Sequence, residues 1–281
     1  MSATAPLRLR PLEIGDVLDE TFRLYRRNFV LIAGVSVAFS IPFAALAGFG
    51  FWSLFSTALN TAAGGVQTAA DVNNELSGLL AGFGIGYLIN IALLPLQYGA
   101  VVYAICQSAL GNPVTLGGML RAAVRRYLHV LGFIALAVLM GLFFCLFPLW
   151  IWILVGWVAV LPVIFTENIG LGAAMGRSWS LVRGMWWRTF LILLLMFVID
   201  YGVSLALGGF LYLGQALLSV VLSNYIALSI YEAAAIVASA VTFPIVLIAM
   251  VLLYFDLRVR KEGIDLFQLA SSLSLQPPAI A

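Results

Sequence analysis

This sequence predicts an all-α integral membrane protein with six transmembrane helices and both termini on one side. Three observations carry that prediction. Hydrophobic residues make up 63% of the 281 and charged residues only 9%, against roughly a quarter charged in soluble domains; the mean hydropathy is +1.10. The apolar residues gather into runs that reach or exceed the roughly twenty residues a helical crossing needs. The 14 basic residues all fall in segments that six spans place on the same side. These are Arg8, Arg10, Arg23, Arg26 and Arg27; Arg121, Arg125 and Arg126; Arg177, Arg183 and Arg188; and Arg258, Arg260 and Lys261. By the positive-inside rule that side is the cytoplasm.

Residues 1–11 form a short N-terminal tail ending at Pro11, and a six-span membrane domain follows over 12–263. The domain opens on LEIGDVLDETFRLYRRNF, in which Ile14, Val17, Leu18, Phe22, Tyr25 and Phe29 recur at three- and four-residue spacing. That period puts them on one face of an amphipathic helix, 12–28. Glu13, Asp16, Asp19 and Glu20 crowd its start and Arg23, Arg26 and Arg27 its end, an order that suits the helix dipole. Asp19 and Arg23 stand one turn apart, the spacing of an ion pair. Such a helix lies in the interface and feeds the first span, 29–56, which contains Pro42. Residues 57–77 carry acids but no Lys or Arg and read as an outside loop; the second span, 78–109, contains Pro95.

A second copy of the opening arrangement occupies 113–127: a shift of 102 carries Gly15 onto Gly117, Leu18 onto Leu120 and Arg23 onto Arg125. The apolar run behind it, 128–166, exceeds one crossing, and Pro148 divides it into spans of 129–147 and 149–166. A single crossing there would put Arg177, Arg183 and Arg188 on the opposite side from Arg121, Arg125 and Arg126. A third copy lies at 169–184, where a shift of 157 carries Gly15 onto Gly172, Phe22 onto Trp179 and Arg26 onto Arg183. Spans 186–212 and 226–254 follow, joined by an uncharged loop, and 264–281 is a C-terminal cytoplasmic tail. The repeated unit is one interfacial helix plus one two-span hairpin, used three times. Trp150 and Trp152 are expected near an outer hairpin tip, and Trp179, Trp186 and Trp187 near the inner boundary, the levels that aromatic belts occupy.

Few residues invite chemistry. Cys106 and Cys145 lie in separate apolar segments and imply neither a disulfide framework nor a metal site. His129 stands alone at a span boundary. Asp200 and Glu232 fall inside spans, at comparable depth by residue count; an ionised acid there costs roughly 2.5–3.5 kcal/mol even on the lenient scale. With Asn90 they form a candidate intramembrane polar site, either a cation- or proton-sensitive pair or groups satisfied by neighbours such as Tyr201, Ser204 and Tyr231. Arg23, Arg26, Arg27, Arg125, Arg126 and Arg183 are candidate contacts for anionic lipid headgroups, each worth roughly 1 kcal/mol near the surface. There is no phosphate-cradling loop, paired-His helix or nucleophile elbow. No enzyme activity, metal, cofactor or nucleic-acid partner is expected, and no cleavable signal peptide. The expected partners are membrane lipids and an unidentified membrane protein or a second copy of the chain.

The opening LRPLEIGDVLDETFRLYRRNF and the ending LLYFDLRVRKEGIDLFQLA together resemble a family of bacterial multi-pass proteins grouped by likeness to the membrane domain of glycerophosphoryl diester phosphodiesterase. The resemblance is concentrated in residues 8–29 and 252–269. It implies a bacterial plasma (inner) membrane location and a stand-alone membrane domain. The family's phosphodiesterase chemistry belongs to a separate barrel domain with paired histidines and metal-binding carboxylates, which this sequence lacks. Two functional readings follow: a non-catalytic scaffold or accessory factor in lipid or envelope processes, and a transporter or channel using Asp200 and Glu232.

Overall fold

The computed structural model describes residues 11–62, 68–142 and 147–263. Arg8, Arg10, Cys145 and the 264–281 tail lie outside the described residues. Helices account for the regular structure of the described residues, with no strand among them. Five helices are long and apolar enough to cross a membrane, or six if one pair bent by 67° is taken as a single span.

The chain begins with α1 (Ile14–Arg27) and α2 (Phe29–Ala62). Asp16 Oδ2 accepts the Glu13 backbone N–H at 3.1 Å, which satisfies a donor at the start of α1. In α1 Arg23 pairs with Glu20, three residues back, and not with Asp19. The expected outside loop is largely helical. α2 continues to Ala62, and α3 (Ala69–Leu79) begins at a reciprocal cap in which Thr68 Oγ1 accepts from Asp71 N–H and Asp71 accepts from Thr68 N–H. A π-helical segment, Leu80–Ile85, leads into α4 (Gly86–Ala109). Pro42 and Pro95 sit inside α2 and α4 without ending them.

α5 (Leu116–Arg125), capped by Thr115 Oγ1 on Gly118 N–H at 3.2 Å, turns by 67° into α6 (Tyr127–Leu142). The fourth expected span stands as an apolar stretch long enough to cross, Pro148–Thr166, in which a turn at 157–159 joins α7 (Phe147–Gly156) to α8 (Val160–Thr166). α9 (Leu171–Val182) folds back along α8, with Ser178 Oγ accepting from Ala159 N–H at 3.1 Å and donating to Gly156 O at 2.8 Å. This geometry corrects the tryptophan expectation. Trp152 stacks edge-on against Trp179 at 4.6 Å, and its carbonyl accepts the Trp186 indole N–H at 3.1 Å. They form one cluster, because α7 stops at Gly156, where a Cβ would overlap the Trp179 ring.

α10 (Trp186–Val221) runs past the expected loop, α11 (Asn224–Thr242) begins after a turn at Leu222–Ser223, and α12 (Pro244–Glu262) follows immediately. Residues 213–221 contain no proline, so nothing stops the helix at 212. Pro244 opens α12, and α11 and α12 together form one apolar stretch, Asn224–Glu262, long enough to cross.

The described residues divide into two compact units: 11–29, 98–142, 147–197 and 245–263 form one, and 30–62, 68–97 and 198–244 the other. In the first unit α12 is the core. Ile248, Leu252, Leu253, Tyr254 and Leu257 are fully buried. The amphipathic helices turn their apolar faces inward: Val17, Thr21, Leu24 and Tyr25 on α1, Met119 and Ala123 on α5, and Ala174, Ser178, Leu181 and Val182 on α9. In the second unit, α2 meets the π-helical segment backbone to backbone. A Cβ on Gly82 would overlap Gly50, and a Cβ on Gly50 would lie 3.0 Å from Gly82 Cα. Phe51 and Phe83 close the same contact edge-to-face at 5.1 Å.

Candidate functional site

The first unit sorts its cations into two groups. One group is committed to structure by the end of α12. Asp256 and Arg260 stand one turn apart on one side of α12, Arg258 and Glu262 one turn apart on another. The carboxylate of Asp256, fully buried, accepts from Arg188 at 2.5 Å, from Arg260 at 3.0 Å and from the Leu12 backbone N–H at 2.8 Å. The Leu12 carbonyl in turn accepts from Arg188 at 2.6 Å and Arg260 at 2.7 Å. Both backbone polar groups of Leu12 are thereby satisfied by side chains of α10 and α12, and the buried charge is hydrogen-bonded from three directions.

On the other side of α12, Arg258 donates to Glu262 at 2.9 Å and to Tyr254 Oη at 3.1 Å. Arg177 bridges Glu167, at 3.0 Å, and Glu262. Burial alone would lower the Arg177 guanidinium, but its bonds to Glu167 and Glu262 outweigh that and hold it above its ordinary value. Lys261 Nζ donates to the Ser180 and Arg183 carbonyls at 3.1 and 2.7 Å, closing the C-terminal end of α9. Sequence reasoning passed over Asp256, Arg188 and the Leu12 peptide. The legible signal was the pair of four-residue charge spacings in DLRVRKE, which identifies partners within α12 but not those across the fold.

The second group faces outward. Arg26, Arg121, Arg125 and Arg183 are exposed, and among the described residues none has an acidic partner. They sit at the ends or on the outer faces of α1, α5 and α9. The other candidate headgroup contacts are engaged. Arg23 pairs with Glu20, Arg27 donates to Ser108 O and Oγ at 2.8 and 2.7 Å, and Arg126 donates to Asn168 Oδ1.

In the second unit the intramembrane residues are not brought together. Among the described residues no hydrogen bond or ion pair joins Asp200, Glu232 and Asn90. Tyr212 meets Tyr231 at 6.2 Å and Ser204 meets Thr242 at 3.4 Å, which sets the antiparallel register of α10 and α11. Glu232 thus stands level with the region of Tyr212, about twelve residues along α10 from Asp200, or ~18 Å at about 1.5 Å per residue. The expected common depth is corrected by the longer α10, which moves the turn from about 213–225 to 222–223. Asp200 lies near Thr242, and its Oδ1 is buried and accepts from no described residue. Tyr201, Ser204 and Thr242, next to it, line a largely apolar groove of about 530 Å³ between α10 and α11. No cluster of metal-ligating side chains occurs among the described residues.

No protein-family model, curated protein or solved structure matches this chain.

Proposed function

We propose that this chain is a non-catalytic multi-pass protein of the bacterial plasma membrane that serves as a scaffold or accessory factor in lipid or envelope processes. In this reading it grips anionic lipid through its interfacial helices. The observation that carries it is the sorting of cations. Arg177, Arg188, Arg258 and Arg260 are consumed by carboxylates inside the fold, whereas Arg26, Arg121, Arg125 and Arg183 are held outward on amphipathic helices, where headgroup phosphates lie.

The six-span, N-in/C-in arrangement rests on the one-sided distribution of basic residues. The threefold repeat is supported by burial. The sequence shifts of 102 and 157 carry Val17 onto Met119 and Ala174, and Thr21 onto Ala123 and Ser178, all buried. The second shift also carries Leu24 and Tyr25 onto the buried Leu181 and Val182. The resemblance to the phosphodiesterase membrane domain rests on the two stretches that the Leu12–Asp256 contact ties together. A transporter or channel is the second reading, favoured by the unpartnered Oδ1 of Asp200 beside the groove; the ~18 Å register separation leaves it Asp200 without Glu232.

Native mass spectrometry of the protein released gently from its own membrane tests the first reading. Wild type should retain an anionic phospholipid. Arg26→Ala/Arg125→Ala, at about 1 kcal/mol per cation, should retain it roughly 30-fold less. Retention unchanged in the double variant would remove lipid grip from the proposal.

A further inference from the structure

A cavity of about 250 Å³ in the first unit is lined by Trp152, Trp179, Trp186 and Arg183. Three of the protein's seven tryptophans therefore converge on one small space, and the surrounding backbone holds them there. Gly156 lacks the Cβ that would displace the Trp179 ring, and the Trp186 indole N–H is tied to the Trp152 carbonyl. Gly184, at φ +87°, makes the turn between α9 and α10 that brings Arg183 and Trp186 to the same cavity. Phe190 stacks behind Trp186 at 5.3 Å.

The charges of the wall select the occupant. Indole faces attract cations, and grouped aromatic faces are the recognised environment for ammonium groups. Arg183 is a fixed cation with phosphate-matching geometry. Lys261, held on the Arg183 carbonyl, places a second cation beside it. No Asp or Glu lines the cavity among the described residues. A lone cation would be repelled by Arg183, and a lone anion would leave the indole faces unused. A ligand carrying both charges a few bonds apart satisfies both. The volume lies below the roughly 300–1,000 Å³ of pockets that enclose drug-sized molecules, so it takes a headgroup and leaves acyl chains outside. Next to it α10 presents exposed Trp187 and Leu191, an apolar track for such chains.

We propose that this cavity binds the headgroup of a zwitterionic phospholipid, the ammonium against the tryptophan faces and the phosphodiester on Arg183. The inference rests on the reading that Arg183 meets lipid headgroups. It differs from that reading in lipid class.

The test is native mass spectrometry of the full chain after equilibration with phosphatidylcholine, phosphatidylethanolamine and phosphatidylglycerol of identical acyl chains. Wild type should retain one zwitterionic lipid, besides any phosphatidylglycerol held at Arg26 and Arg125. Trp179→Leu and Arg183→Gln should each weaken that retention about ten-fold or more, while Arg26→Ala/Arg125→Ala leaves it unchanged. The preference is read in Arg26→Ala/Arg125→Ala, which lacks those anionic contacts: equal or greater retention of phosphatidylglycerol by that variant overturns the proposal. Loss in Arg183→Gln with none in a folded Trp179→Leu also overturns it, leaving only an anionic contact. Loss of phosphatidylglycerol in Arg26→Ala/Arg125→Ala, with zwitterionic retention intact, would show two separate lipid interactions.

Discussion

Among single residues, Asp256 has the most to lose. Its carboxylate is fully buried and neutralised by two arginines, each only partly exposed. Removing one partner of a buried pair costs more than the pair contributes, because the remaining charges stay desolvated. Asp256→Asn keeps the shape and removes the charge. It should destabilise the protein by about 3–5 kcal/mol, read as a lower thermal midpoint of the detergent-solubilised chain. Arg26→Ala, which strips an exposed cation with no acidic partner, should leave the midpoint unchanged. A small effect of Asp256→Asn would mean that the Leu12 peptide and the two arginines find other partners. Burial acts on Tyr25 of α1 as well, pushing its phenol up to about 12.

Among elements, the closest approach is that of α2 to the π-helical segment. Helices meet backbone to backbone only where side chains are absent, the small-residue packing used inside membranes. Gly82 lies against Gly50, and no rotamer change makes room for a Cβ because the obstacle is main chain. Gly82→Ala should therefore force the helices apart and cost about 1–3 kcal/mol, measured as a lower thermal midpoint. Gly84→Ala, two residues on, meets nothing within 4 Å and serves as its control. The four-residue spacing of Gly82 and Gly86 was visible in the sequence as a packing signal. The π-helical turn beneath it was not, since its sequence, LAGFGI, differs in no local way from an ordinary apolar helix.

For the molecule as a whole, the orientation can be tested directly. Single cysteines at Arg121, Arg183 and Asn73, in a chain with Cys106 and Cys145 replaced, should divide by side when labelled with an impermeant thiol reagent. Arg121→Cys and Arg183→Cys should react only from the cytoplasm, and Asn73→Cys only from outside. Labelling of Arg121→Cys and Arg183→Cys from opposite faces would mean that residues 127–166 cross once. Labelling of both from the cytoplasm would agree with Pro148–Thr166 as a crossing of its own, its turn at 157–159 included.

Class and amphipathic elements were legible from the sequence because composition and a 3.6-residue period are local properties. The same holds for placing the cations at the ends of apolar runs, where desolvation forbids burying them unpaired. The partners of those cations were not legible. Asp256 reaches a peptide 244 residues away, Trp152 reaches Trp179 and Trp186 across a helix break, and Asp200 and Glu232 are separated by a register that depends on where α10 ends. Such contacts leave no local signature, because they are set by which helices pack together and where each one stops. That is why only the tertiary structure separated the arginines that hold the fold from those that face outward.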